Sequence, residues 1–540
     1  MEMNIGKNPV LKGFNPDPSI LRVKDDFYIA TSTFEWFPGV QIHHSKDLLN
    51  WELVTRPLDR VSQLDMKGCG SSCGVWAPCL TYDGKLFYLV YTVVRSKDRW
   101  KDTHNYIVTS PSIQGPWSEP HYVNSYGFDP SLFHDDDGKK WVVTMNTDLR
   151  KGKNRFAGII LQRWDEEKGM SVGERELIWK GTDIGLTEGP HLYHIGKYYY
   201  LFCAEGGTSY CHAESVARSA SIHGPYETMP GNPLVTSNVG ADEKYDYGNK
   251  PYEKPSSLAI QKSGHASLIQ LPDGGWMLAH LCGRPVGGRY CILGRETALE
   301  NVVFDKDAWP RLKKGGMAAS ATYETPFDGS APKPVSKDYD FSKGKLDIDF
   351  QTLRHPLGPD MLSFLDRKGY LRLYGREGLM SCFDQSLVGR RQQSFHVVFT
   401  TKLDFHPTWY KQMAGLAYYY NTQEFYYLAL TFDDEMHSRV LRIFSCDNNV
   451  YDEWISPVQV PKDGEISLML CVDQEKAQYR YSLDGKKYFD IGPVLDATKI
   501  SDDRIAGSAF TGAFFALCCQ DMSGFHLPAD FRNAHYEELD

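Results

Sequence analysis

The 540-residue sequence predicts an all-β protein, a five-bladed β-propeller followed by a β-sandwich. The first sign is a repeat in which turn residues lead through an apolar pair into an aromatic strand. It reads Asn15-Pro16-Asp17-Pro18-Ser19 before FYIATST, Trp76-Ala77-Pro78 before KLFYLVYT, and Phe128-Asp129-Pro130-Ser131 before KKWVVTM. It continues with Glu188-Gly189-Pro190 before KYYYLFCA and Gly264-His265-Ala266-Ser267 before GWMLAHL. Repeats roughly 50 to 80 residues apart, each made of short aromatic strands and turns, are the signature of blades around one axis. The second sign is length, because a chain of this size exceeds one core and two domains are expected. The third is a change of composition near Thr325, beyond which strands continue without the blade signature.

The blades occupy residues 14 to about 310. Their strands are β-branched and aromatic and are bounded by Asp-Gly or Gly-Lys turns, as hairpins require. A second recurring unit follows the first hairpin of a blade, as in Ser45-Lys46-Asp47-Leu48-Leu49-Asn50-Trp51, Ser112-Ile113-Gln114-Gly115-Pro116-Trp117 and Ser221-Ile222-His223-Gly224-Pro225-Tyr226. This turn leads into an outer strand and completes a four-stranded blade. The segment TPFDGSAPKPVSKDYDFSKGKL is polar, Pro-rich and without apolar period, so it reads as a linker. Then come SFHVVFTTKLDF, GLAYYYNTQEFYYLALTF, RVLRIFSC, EISLMLCV and the hairpin AQYRYSLDGKKYFDIG, the strands of an antiparallel sandwich. The division is residues 1–324 for the propeller and 325–540 for linker and sandwich.

A net charge of -10 argues against nucleic acid, whose phosphates need clustered Lys and Arg. No run of 18 apolar residues spans a membrane, and the N-terminus MEMNIGKNPVLKG lacks a signal pattern, so a cytoplasmic protein with no membrane partner is expected. The twelve cysteines form no CxxC pair and are expected to be buried free thiols.

Three repeats carry an acid at what reads as the equivalent point: Asp17, Asp129 and Glu188. Equivalent positions of a radial fold converge on the axis, so the three would share one pocket. Asp before Pro is also a common turn former, but three in register argue for a site. Acetal hydrolysis uses two carboxyl groups, one to protonate the leaving oxygen and one to activate water or attack the sugar. Asp17, fixed between two prolines, suits a base. Glu188, before an aromatic strand, suits an acid whose pKa an apolar wall raises. Asp129 would be the third member, tuning the acid and orienting the sugar.

These stretches, with TSTFEWFPGVQIHHSKDLLNWELV, KDTHNYIVT, AEGGTSY, LGRETAL and FTGAFFALCCQDMSG, span nearly the whole chain. The sequence resembles glycoside hydrolase family 43, in the group of β-xylosidases and α-L-arabinofuranosidases with a C-terminal, concanavalin-like β-sandwich. The resemblance implies Asp17 as general base, Glu188 as general acid, Asp129 as modulator of Glu188, and inversion by a single water displacement. It implies substrate contacts from Phe34, Trp76 and Thr208, and from an arginine for which Arg289 is favoured and Arg295 read as structural. It also implies a wall from Phe510, with core packing as the other reading. His265 would hold a calcium ion completed by waters in some members; direct contact with substrate or the acids is the alternative. The chemistry needs no cofactor. Thr147, where many relatives carry Trp, would widen or re-polarise one subsite.

The expected activity is removal of terminal β-1,4-linked D-xylose from xylooligosaccharides, with α-L-arabinofuranosidase activity alongside it or as the main one. A small oligosaccharide is the partner, and a homo-oligomer is expected. A non-catalytic carbohydrate-binding propeller would require the three acids to be accidental. A five-bladed fructoside hydrolase would require a different first-blade motif.

Overall fold

The computed structural model describes residues 3–98, 100–247, 255–505 and 509–539. Among the described residues five antiparallel sheets surround one axis, and each innermost strand contains one of the five repeats or starts at its end. The innermost strands are Ser19–Val23, Gly74–Tyr82, Ser131–His134, Glu188–Ile195 and Gln261–Gln270. The predicted terminal turns lead into the outer strands Glu52–Thr55, His121–Asn124 and Glu227–Thr228. Asn4–Lys7 pairs with Thr322–Thr325, so the first strand closes against the strand that leaves the fifth blade.

The repeat has a backbone meaning. Asp17, Ala77, Asp129, Gly189 and His265 all have positive φ, between 30° and 57°, and each precedes Pro or Ala. The ladders of the second, fourth and fifth blades slip register at this point. Left-handed backbone at a non-glycine residue costs about 1–3 kcal/mol and persists only where neighbours hold it, commonly at functional sites. Here the neighbouring blades hold it. Ser19 Oγ accepts the Leu80 N–H at 2.9 Å, and Thr92 Oγ1 accepts that of Asp129 at 3.1 Å. Asp129 Oδ2 accepts the Gly189 N–H at 3.1 Å, and Glu214 Oε2 that of Ala266 at 2.8 Å. Ser267 Oγ donates to the Pro18 carbonyl at 2.7 Å and closes the ring.

Glu188 is therefore one residue out of the register expected for it. Gly189 occupies the position of Asp17 and Asp129, whereas Glu188 stands where Trp76 and Phe128 stand in their blades. The reason is spatial. A Cβ at residue 189 would meet the His265 ring at 2.9 Å, so the ring position is bare and the acid comes from its neighbour.

The sandwich consists, among the described residues, of an eight-stranded and a nine-stranded sheet. Side chains such as Phe399, Leu416, Leu468, Phe515 and Tyr536 fill the space between them. The linker is shorter than its composition suggests, because Ser336–Asp340 already pairs with Pro528–Glu538 as a sandwich strand. The two units are also knitted together. Trp36–Phe37, from the first blade's loop, adds a strand to the sandwich at Thr352 and Leu353. The Trp36 ring stacks on Phe514 with centroids 3.6 Å apart. Across the same boundary Lys262, 1% exposed, places its ammonium 2.9–3.3 Å from the Asp502 and Asp503 carboxylates. A buried lysine paired with two carboxylates ties the sandwich to the fifth blade at Asp502 and Asp503.

Candidate active site

A cavity of about 260 Å³ opens at the ring of left-handed residues. Asp17, Asp129, Glu188, His265, Phe34, Trp76, Thr208 and Phe510 all line it, so residues nearly five hundred positions apart converge as the radial reading expects.

Asp17 is oriented by a relay. Ser32 Oγ donates to Asp17 Oδ2 at 2.6 Å and accepts the Ala77 N–H at 2.8 Å. On the other oxygen, Arg295 Nη1 and His265 Nδ1 each stand 3.6 Å from Asp17 Oδ1. Asp129 is tied to the residue after the acid by its bond to the Gly189 N–H. Thr187, the residue before the acid, donates to Glu205 Oε1 at 2.8 Å, and Glu205 also accepts from the Thr182 amide at 2.7 Å. Glu188 is thus held from both flanking positions.

Burial pushes the Glu188 carboxyl up to about 7, with Lys101 opposing the rise and Asp17 adding to it. Burial, then the charges of Glu188 and Asp17, push Asp129 well above the carboxylate range. The rise at Glu188 brings its proton into the neutral range, where a general acid can donate it. Asp17 shares the cavity with it, so the pair is equipped to donate a proton and to activate water.

Aromatic rings form the wall. The Phe34 and Phe510 centroids lie 5.7 Å apart, Trp76 and Phe510 5.5 Å, and Trp76 and Phe128 5.4 Å. Phe510 arrives from the sandwich and is anchored at both backbone atoms: its N–H donates to Ser72 Oγ at 3.0 Å, and its carbonyl accepts from Arg295 Nη2 at 3.0 Å.

Two expectations require correction. The pocket arginine is Arg295 and not Arg289. Arg295, 2% exposed, bonds Thr208 and Phe510 and faces Asp17, and its carbonyl accepts the Asn15 N–H at 2.9 Å, which sets it over the first blade's motif. Arg289 lies in the turn after Gly287-Gly288, bonds Val286 and Tyr210 through its backbone, and does not line the cavity. Thr147 does not line it either. Its hydroxyl donates to the Tyr126 carbonyl at 2.9 Å, and it pairs with Phe156, so it acts behind a wall residue.

His265 is buried and its imidazole is pulled below the usual range, first by burial. Its surroundings make a poor direct calcium site: one imidazole, and a carboxylate already bound by Ser32 and facing Arg295, where calcium takes six to eight oxygens. Among the described residues no three His, Cys, Asp or Glu side chains cluster to hold a metal. A calcium ion at His265 would depend on waters for almost its whole shell.

Sequence reasoning missed Lys97, Lys101, Phe128, Arg155 and Phe156 as lining residues. Phe128 had a signal, because it precedes Asp129 as Trp76 precedes Ala77. Lys101 also had one, as the first residue of KDTHNYIVT, whereas Lys97 and Arg155 lie in polar stretches without a pattern.

The sequence profile of glycosyl hydrolases family 43 matches residues 6–310, and that of the beta xylosidase C-terminal concanavalin A-like domain matches residues 338–537. The chain is 46% identical to a beta-xylosidase of Bacillus subtilis, over 98% of this chain and 99% of that one. It is also 46% identical to a xylosidase/arabinosidase 43B of Humicola insolens, over 97% and 96%. The crystal structure of a xylan beta-1,4-xylosidase from Bacillus halodurans superposes with a TM-score of 0.94 at 47% identity, covering 99% of this chain and all of the other.

Proposed function

The chain belongs to glycosyl hydrolases family 43, and from that premise we propose that it is an inverting exo-β-xylosidase releasing terminal β-1,4-linked D-xylose from xylooligosaccharides. The observation that carries the mechanism is the cavity that Asp17 shares with Glu188, whose carboxyl burial pushes up to about 7. Asp17 takes a proton from the attacking water, and Glu188 gives one to the departing oxygen. Asp129 holds Glu188 through the Gly189 amide, and Arg295 meets sugar hydroxyls beside Asp17. The cavity is near the small end of ligand sites and is walled by Phe510, which suits a chain end better than the middle of a polymer. The xylosidase/arabinosidase name of the Humicola relative supports α-L-arabinofuranoside cleavage as a second activity. Twelve free thiols suit a reducing cytoplasm, where imported oligomers would be the substrate.

Purified protein assayed on xylobiose, an arabinofuranoside and a fructoside should act fastest on xylobiose. Proton NMR of the earliest product should show α-xylose, and initial release of the β anomer would sink the inverting assignment.

The sandwich wall supplies a separate expectation. Phe510 is only partly buried and packs on Phe34 and Trp76, so Phe510→Ala should remove binding surface from ground and transition states alike. KM for a xyloside should rise about tenfold, equivalent to about 1.4 kcal/mol, with kcat and melting temperature little changed. An unchanged KM with a large fall in melting temperature would make Phe510 a core residue instead.

A further inference from the structure

The pocket is richer in positive charge than a neutral sugar needs. Lys97, Lys101, Arg155 and Arg295 line it against Asp17, Asp129 and Glu188, although the whole chain carries a net charge of -10. The four cations outnumber the three carboxyl groups that line the cavity, and burial raises the Glu188 and Asp129 carboxyls above their usual range. Arg295 is engaged by Thr208, Phe510 and Asp17. Lys101 and Arg155 are placed differently.

The Lys101 ammonium lies 4.6 Å from the centroid of the Trp76 ring and 5.1 Å from that of Phe128. Among the described residues no hydrogen bond or ion pair within 4 Å engages it, so a partly buried cation with three donors faces the cavity. Arg155 is exposed at the rim, and among the described residues its side chain makes one hydrogen bond, 3.2 Å, from Nη2 to the Asp98 carbonyl. The side of the pocket follows from charge. Lys101 is the strongest cationic influence on Glu188, and Glu188 in turn is the strongest charge acting on Lys101. The group that protonates the leaving oxygen faces the leaving sugar, so its neighbouring cation does too, whereas Arg295 sits with the base.

We propose that Lys101 and Arg155 form an anion-accepting lip for the leaving group, so that the enzyme prefers xylosides whose departing sugar carries a carboxylate, as an aldonate or as a uronate branch. This rests on the exo-xylosidase reading. A carboxylate about one sugar ring from the scissile oxygen would pair with partly buried Lys101 and with Arg155 at the rim, and neutral xylose would leave both cations without that partner.

The test compares kcat/KM on matched pairs at one pH. Xylobionate and xylobiitol differ only in a carboxylate against a CH2OH group, and xylobiose bearing a glucuronosyl or a glucosyl branch on its reducing unit tests the second source. The native enzyme should favour the anionic member of at least one pair about tenfold at low salt, and the preference should shrink as salt screens it. Lys101→Met and Arg155→Gln should each reduce that ratio severalfold. Using a ratio within one enzyme cancels the effect of Lys101 on Glu188, and Arg155→Gln is an exposed change that spares the core. Ratios of one or below for both pairs, or a preference untouched by both substitutions, would overturn the proposal. Inactivity of the native enzyme on xylobiose, with activity on other glycosides, would overturn the xylosidase reading and this inference with it, whereas robust xylobiose cleavage without anion preference overturns this inference alone.

Discussion

Replacement of Asp17 by Ala should abolish turnover on every substrate, lowering kcat/KM by about 10³-fold or more on both xylobiose and an activated aryl xyloside. Water must be activated whichever group departs, so no leaving group compensates for a missing base. Asp17→Asn, which keeps the size and the Ser32 contact, should lose as much while melting within a few degrees of the native protein. That second variant matters because residue 17 lies in left-handed backbone, where Asn is tolerated better than Ala. Substantial residual activity of both variants on both substrates would remove Asp17 as the base.

Glu188→Ala should separate the two substrates. Expelling an alkoxide without a proton is costly, so xylobiose should lose about 10²–10⁴-fold in kcat/KM, while an aryl xyloside with an acidic phenol loses far less. Equal losses would argue against the acid role. The pH profile gives the sign independently. Glu188 works with its proton on, and burial holds its pKa at about 7, so kcat/KM on xylobiose should fall as pH rises through about 7. Glu188→Ala should lack that alkaline limb.

Much of this arrangement was legible in the sequence because it is periodic. Turn residues and aromatic strands recur in every blade, and an all-β chain with such spacing leaves few topologies. The acids were legible for the same reason, yet the register of Glu188 was not, since only the backbone shows that Gly189 takes the ring position beneath His265. Arg295 and Arg289 are six residues apart around one turn, and the difference between them rests on the Asn15 amide, nearly three hundred residues away. The two-residue strand Trp36–Phe37 is too short to carry a pattern, and its partner lies beyond residue 350. Lys97 and Arg155 belong to polar stretches whose composition is that of ordinary solvated surface. Long-range placement, not residue chemistry, is what the one-dimensional reading lacked.

The origin of Phe510 in the second domain has a consequence for synthesis. A ribosome that has translated the fifth blade has emitted all three acids, but the wall, the Arg295 partner at the Phe510 carbonyl and the carboxylates that grip Lys262 are still about 200 codons away, or roughly 10 to 40 s at ordinary translation rates. During that interval the nascent blades expose the Trp36 face that later stacks on Phe514. The pocket is thus completed only near the end of translation, and a chain truncated before Phe510 lacks the residue that closes one side of it.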